Sequence, residues 1–181
     1  MNKQETEVEV CDLPVIHIAK IATCNSLSGL STLEYHVGYE ASNPARIYFR
    51  IWKNSGGGKF NTDWIGLGAV EKALAGIPAD GTFTASALAP IASGRSVNTS
   101  SFIGAALLAE GLIIRSEKVA RSYERNPNTA VWWSELRALI EAGTNLDVPP
   151  MNKPAGHRGS SAGQGKVAKK KPAVTLVNPV T

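Results

Sequence analysis

The sequence predicts an α+β protein: an antiparallel β-hairpin layer over 13–60, a helical portion over 61–145, and a basic tail over 146–181. Three observations predict it. Apolar residues alternate with period two at 33–40 and 46–53. They then recur at helical spacing, with glycine stops, through the middle of the chain. Periodicity ends at Pro149-Pro150, where Gly, Ser, Pro and Lys take over.

Residues 1–12 are polar, with Glu5, Glu7 and Glu9 alternating, and read as a frayed acidic end. From Val15 the chain turns apolar, and Ile16 and Ile18, two apart, suit a strand. In TLEYHVGYE, Leu33, Tyr35, Val37 and Tyr39 form one face and Glu34, His36, Gly38 and Glu40 the other. A turn follows around Asn43-Pro44. In RIYFRIWK, Ile47, Phe49 and Ile51 oppose Arg46, Tyr48, Arg50 and Trp52, so the two runs read as a hairpin. The arginine face has two readings: a solvated face with pairs to Glu34 and Glu40, or an aromatic, cationic platform for nucleic acid.

The glycines at 56–58 precede a helix expected over 63–76, with Thr62 as N-cap, Asp63 at the positive end of the dipole and Gly76 as stop. A Walker phosphate loop is excluded, because Lys53 stands where its first glycine is required and Phe60 follows Gly58-Lys59. A short helix is expected over 85–92, capped by Thr84, then a turn at SGRSV. A second helix opens at Asn98 or Thr99 and stops at Gly111, and LIIRS leaves it as a strand.

Over 63–133 this pattern resembles the winged helix-turn-helix superfamily. The resemblance rests on Ala87-Leu88-Ala89, the polar turn, Ser96 and Thr99 opening the second helix, and Leu108-Ala109-Glu110-Gly111-Leu112-Ile113 passing into a wing that begins near Ile114. It implies double-stranded DNA as partner, with the second helix in the major groove and the wing on the backbone. The groove-facing residues would be Arg95, Ser96, Asn98, Thr99 and Ser100, with Ser101 beside them; Arg115, Lys118, Arg121 and Arg125 would meet phosphates. The helix itself holds no Arg or Lys, a departure from the usual base-reading set. Residues 117–126 stay open between strand and helix.

After an NPNTA turn, AVWW is either a short strand or the start of a helix. Ser134 would cap a helix over 134–142, which by analogy with the superfamily could join a homodimer. One of Trp132 and Trp133 is expected in the core, and the other is a candidate anchor for a protein partner. The tail is expected to be disordered. Residues 151–181 carry +6 of a total of +4, leaving −2 elsewhere, so the basic character belongs to the tail. There Lys166, Lys169, Lys170 and Lys171 would attract any polyanion without specificity.

No apolar run reaches the roughly 20 residues of a membrane span, and the N-terminus has no secretory apolar region. Two cysteines, Cys11 and Cys24, read as reduced thiols in a cytoplasmic protein. His17, His36 and His157 stand at no metal-ligand spacing to them, so neither metal nor cofactor is expected. No Ser lies in a strand-to-helix Gly-x-Ser-x-Gly elbow and no His-Glu-x-x-His helix occurs, so no enzyme is expected. The expectation is therefore a DNA-binding protein, regulatory or accessory. The alternative is a non-enzymatic adaptor that holds a protein partner on its hairpin and helical surfaces.

Overall fold

The computed structural model describes residues 13–56 and 59–148. The expectations for 1–12 and for the tail from 149 onward, with Lys166, Lys169, Lys170 and Lys171, lie outside the described residues. The architecture is α+β, built on a four-stranded antiparallel sheet in the order β1-β2-β3-β4. β1 (Ile16–Asn25), β2 (Thr32–Glu40) and β3 (Asn43–Asn54) are long. Their alternation is the one legible in sequence: Leu33, Tyr35, Val37, Tyr39, Ile47, Phe49 and Ile51 are all buried on one face. The β2–β3 turn is Ala41-Ser42, and Asn43-Pro44 already belong to β3.

The first helix begins later than expected. Ile65–Gly66 form β4 against Phe49 and Tyr48, and α1 spans Leu67–Leu74. Thr62 is therefore no cap, and Trp64 lies outside the helix. Pairing with the open edge of β3 outweighs the helical spacing that starts at Trp64. At the other end the carbonyls of Leu74, Ile77 and Pro78 accept hydrogen bonds from the Arg125 guanidinium, the latter two at 3.0 and 2.9 Å.

A 3-10 helix (Ala85–Ala92) with Pro90 inside it leads to α2 (Thr99–Ala109). Gly111, at φ 69°, turns the chain into β5 (Ile113–Arg115), which pairs with β6 (Tyr123–Arg125). The open question at 117–126 resolves into a turn followed by a strand. Phe83 joins β6 by two backbone hydrogen bonds to Tyr123, at 2.7 and 2.8 Å. α3 spans Ala130–Glu141, so Ser134 sits inside it rather than at its cap. Both tryptophans are helical; Trp132 is buried and Trp133 is 37% exposed.

α2 lies in the middle of the molecule. Its buried residues run from Thr99 through Leu107 except Ser101, so apolar surface surrounds it instead of forming one stripe. One hydrophobic core joins the sheet residues to Leu67, Val70, Leu74, Leu88, Ile91, Phe102, Ile103, Leu107 and Leu136. Sheet and helices share that core, and the described chain to Val148 forms one compact unit. After α3 the chain returns to β1, where Leu146 N–H donates to Ile18 O and Asn145 Oδ1 accepts from Ile18 N–H. No helix among the described residues is long and apolar enough to cross a membrane.

Candidate nucleic-acid interface

The cleft of interest opens where the N-terminal turn of α2 meets the β1–β2 loop and the β5–β6 hairpin. It encloses about 840 Å³. Ser26, Leu27 and Ser28 form one wall, Thr84, Ala85 and Ser86 a second, and Arg115, Arg121 and Tyr123 a third. Asn98, Ser101 and Phe102 of the α2 start complete it. The lining holds two guanidinium groups, five serine or threonine hydroxyls, one amide and no carboxylate. This local bias matters because residues 13–148 as a whole are almost neutral, with twelve Lys or Arg against eleven Asp or Glu.

The two arginines owe their position to the hairpin. Arg115 ends β5, opposite Tyr123 of β6, and its guanidinium carbon lies 5.9 Å from the Tyr123 ring centre. Arg121 ends the turn at φ 59°, the one non-glycine residue with positive φ among the described residues. Glycine or asparagine occupies that conformation at less cost. Among the described residues Arg121 makes no hydrogen bond or ion pair, so its charge is available to a ligand. Across the cleft the hydroxyls form short pairs: Thr84 with Ser86 at 2.6 Å and Ser26 with Ser28 at 3.2 Å.

The other residues singled out from sequence are placed elsewhere. Thr99 and Ser100 are 4% and 8% exposed and do not present side chains to a groove. Helical spacing locates a helix but not the number of its faces that are covered. Ser96 Oγ and Asn98 Nδ2 donate to Lys59 O, at 2.7 and 2.9 Å, and pin the start of α2 to the chain before Trp64. Arg95 lies 3.5 Å from Asp63 Oδ2 and donates to Ile91 O. Arg125 serves the end of α1 and is not a free phosphate ligand. Lys118 lies 3.8 Å from Glu124, whose carboxylate also accepts from Ser116 Oγ. Of the ten residues expected at DNA, Ser101 included, Asn98, Ser101, Arg115 and Arg121 line the cleft. Ser26, Ser28, Thr84 and Ser86 join them without any sequence signal, because a loop between two strands contributes half of them.

On the outer sheet face, Arg46 pairs with Glu40 at 3.3 Å and Lys53 with Glu34 at 2.9 Å, so both expected carboxylates are paired, but Glu40 and His36 are buried and the face is not solvated throughout. Arg50 differs: its guanidinium carbon lies 4.5 Å from the Trp52 ring and 4.4 Å from Trp64, between the two. Those rings are already occupied by a cation of the protein itself.

A second polar cluster is internal. Glu110, just after α2, accepts from Tyr35 Oη at 2.5 Å, Trp132 Nε1 at 2.6 Å and Lys20 Nζ at 2.8 Å. Burial, and then Glu110, pushes the Tyr35 hydroxyl well above its ordinary range; the same two causes push the Cys24 thiol up to about 11. Both groups therefore keep their protons near neutral pH, and the cluster works as a brace between β1, β2, α2 and α3. Among the described residues no group of three or more His, Cys, Asp or Glu is placed to hold a metal ion. Comparison of the chain with protein-family models, curated proteins and solved structures finds no match.

Proposed function

We propose that this protein binds DNA, in a regulatory or accessory role, by gripping phosphates in the cleft beside the β5–β6 hairpin. The observation that carries the reading is a concave lining with Arg115, Arg121 and five hydroxyls and without a carboxylate. Phosphodiester binding needs cations that displace condensed counterions, and hydroxyls or amides that donate to phosphate oxygens and fix the register. The α2 N-terminus adds partial positive charge. The order α1, Phe83 bridge, 3-10 helix, α2, β5, β6 supports a reading in which the β5–β6 hairpin acts as a wing does, on the backbone. Burial of Thr99 and Ser100 argues for backbone contact in place of base reading by α2. Lys166, Lys169, Lys170 and Lys171 add nonspecific attraction to any polyanion.

Fluorescence anisotropy with labelled DNA, as single strand and as duplex, over a salt series tests this. The full chain is compared with R115A/R121A. Loss of two phosphate contacts should weaken binding and reduce the salt slope by roughly 1 to 2. An unchanged affinity and slope for both DNA forms would refute the cleft as the interface.

A protein-binding reading has its own observation in Trp133, half exposed on α3 and shared by two cavities, of about 330 and 200 Å³, that flank α1. A partner captured by the wild type, lost with W133A and kept with R115A/R121A, would favour it.

A further inference from the structure

We infer that the strand held in this cleft is single-stranded DNA, a conclusion that rests on the DNA-binding reading above and goes beyond it. Two observations lead there.

The first is what surrounds α2. A major groove about 12 Å wide admits a helix of about the same breadth only when the helix stands clear of its neighbours. α2 does not stand clear. Its residues from Phe102 to Leu107 are all buried. Gly104, midway along it, is covered by Leu27 of the β1–β2 loop and Leu88 of the 3-10 helix, which a Cβ there would meet at ordinary contact distances of 3.5 and 3.4 Å. Ser26 and Ser28 extend the same wall beside the α2 start. A duplex arriving at α2 meets this wall, and its bases stay turned inward.

The second is the shape and chemistry of the cleft. It is a recess, with cations on one wall and hydroxyls on the others. Its volume, about 840 Å³, lies in the range of sites that enclose a ligand of a few rings. A single strand can lay its phosphates along Arg115 and Arg121 and turn unpaired base edges toward Thr84, Ser86, Asn98 and Ser101. A duplex offers the same phosphates but keeps those edges paired. The hydroxyls can donate or accept, so they tolerate any base, and the interaction is selective for strandedness more than for sequence.

The experiment uses the full chain with K153S/R158S/K166S/K169S/K170S/K171S, which removes all six positive charges of residues 151–181, and compares a labelled oligothymidine with a random duplex of equal length. The expected result is single-strand binding tighter by about tenfold or more, the scale of one or two net hydrogen bonds to an unpaired base edge. In the same background S86E, which puts a carboxylate on the exposed rim, should weaken single-strand binding by about tenfold, while circular dichroism and the melting temperature stay unchanged. R115A/R121A should weaken both DNA forms. Duplex binding as tight as single-strand binding, and dependent on Arg115 and Arg121, would overturn the strand preference and leave the DNA-binding reading standing. Preference for the single strand without any effect of S86E would overturn the cleft as its seat. Binding independent of the two arginines in both forms would overturn both conclusions.

Discussion

His36 stands in β2 on the face that the sequence assigns to solvent, yet its side chain is completely buried. Its Nδ1 accepts from Arg50 Nε at 3.0 Å, its ring lies against Trp52, and Glu34 Oε1 is 3.6 Å from Nε2. Burial, and then the Arg50 charge, lower its pKa to about 4. The folded protein therefore holds a neutral imidazole, while the unfolded chain takes up a proton near pH 6.5. Between these values the unfolded state binds more protons, so stability falls as pH falls from 6.5 towards 4 and is complete above 6.5. The loss is at most about 3 kcal/mol. Urea denaturation at pH 7 and pH 5 should show a smaller pH-dependent loss for H36Q than for the wild type; parallel losses would remove His36 as the cause. Two residues along, Gly38 is a steric necessity. A Cβ there would lie 2.6 Å from Ile16 Cγ2, 2.8 Å from His17 O and 2.9 Å from Trp64 Cη2. The backbone oxygen cannot swing aside, so G38A should cost about 1–3 kcal/mol by the same assay.

At the scale of elements, α1 and the hairpin depend on each other. α1 is eight residues long and has no side-chain cap at either end. Arg125 of β6 supplies what its C-terminus lacks, by donating to three carbonyls around that end. R125A should therefore destabilise the protein by about 2 kcal/mol, the scale of a charged hydrogen-bond donor. Its effect on DNA binding at a temperature where the fold persists should be far smaller than that of R115A/R121A. A melting temperature unchanged in R125A would contradict this account. The strands β1 to β3 and the helices α2 and α3 were legible because alternation and helical spacing are local signals. The starts of α1 and α3 were not. Backbone pairing of Ile65–Gly66 with β3 took the first turn from one, and the Trp132 contact with Glu110 drew Trp132 and Trp133 into the other.

For the molecule as a whole, the decisive arrangement is the insertion of α2 between the sheet and the smaller helices, and Glu110 locks it there. Its carboxylate collects donors from β1, β2 and α3 at once. E110A should cost about 3–5 kcal/mol, because Lys20, Tyr35 and Trp132 would lose their common acceptor, two of them inside the core. A denaturation midpoint within error of wild type would show that water or another group replaces it. The same insertion sets the functional reading: it removes Thr99 and Ser100 from any groove and leaves Arg115, Arg121 and the hydroxyl rim as the accessible chemistry.

The sequence by itself determined the α+β class, the sheet face that carries the core, the stop of α2 at Gly111, and the strand that leaves it with Arg115. These follow from period, turn chemistry and composition, which act over a few residues. The return strand that makes a hairpin and places Arg121 came from the tertiary structure. Tertiary structure alone decided which polar residues stay accessible. Thr99 and Asn98 are neighbours with the same sequence credentials, but one is covered and the other lines the cleft. Burial of a side chain depends on surfaces brought from distant parts of the chain, here β1 to β3 and the Ser26–Ser28 loop, and no local pattern encodes that meeting.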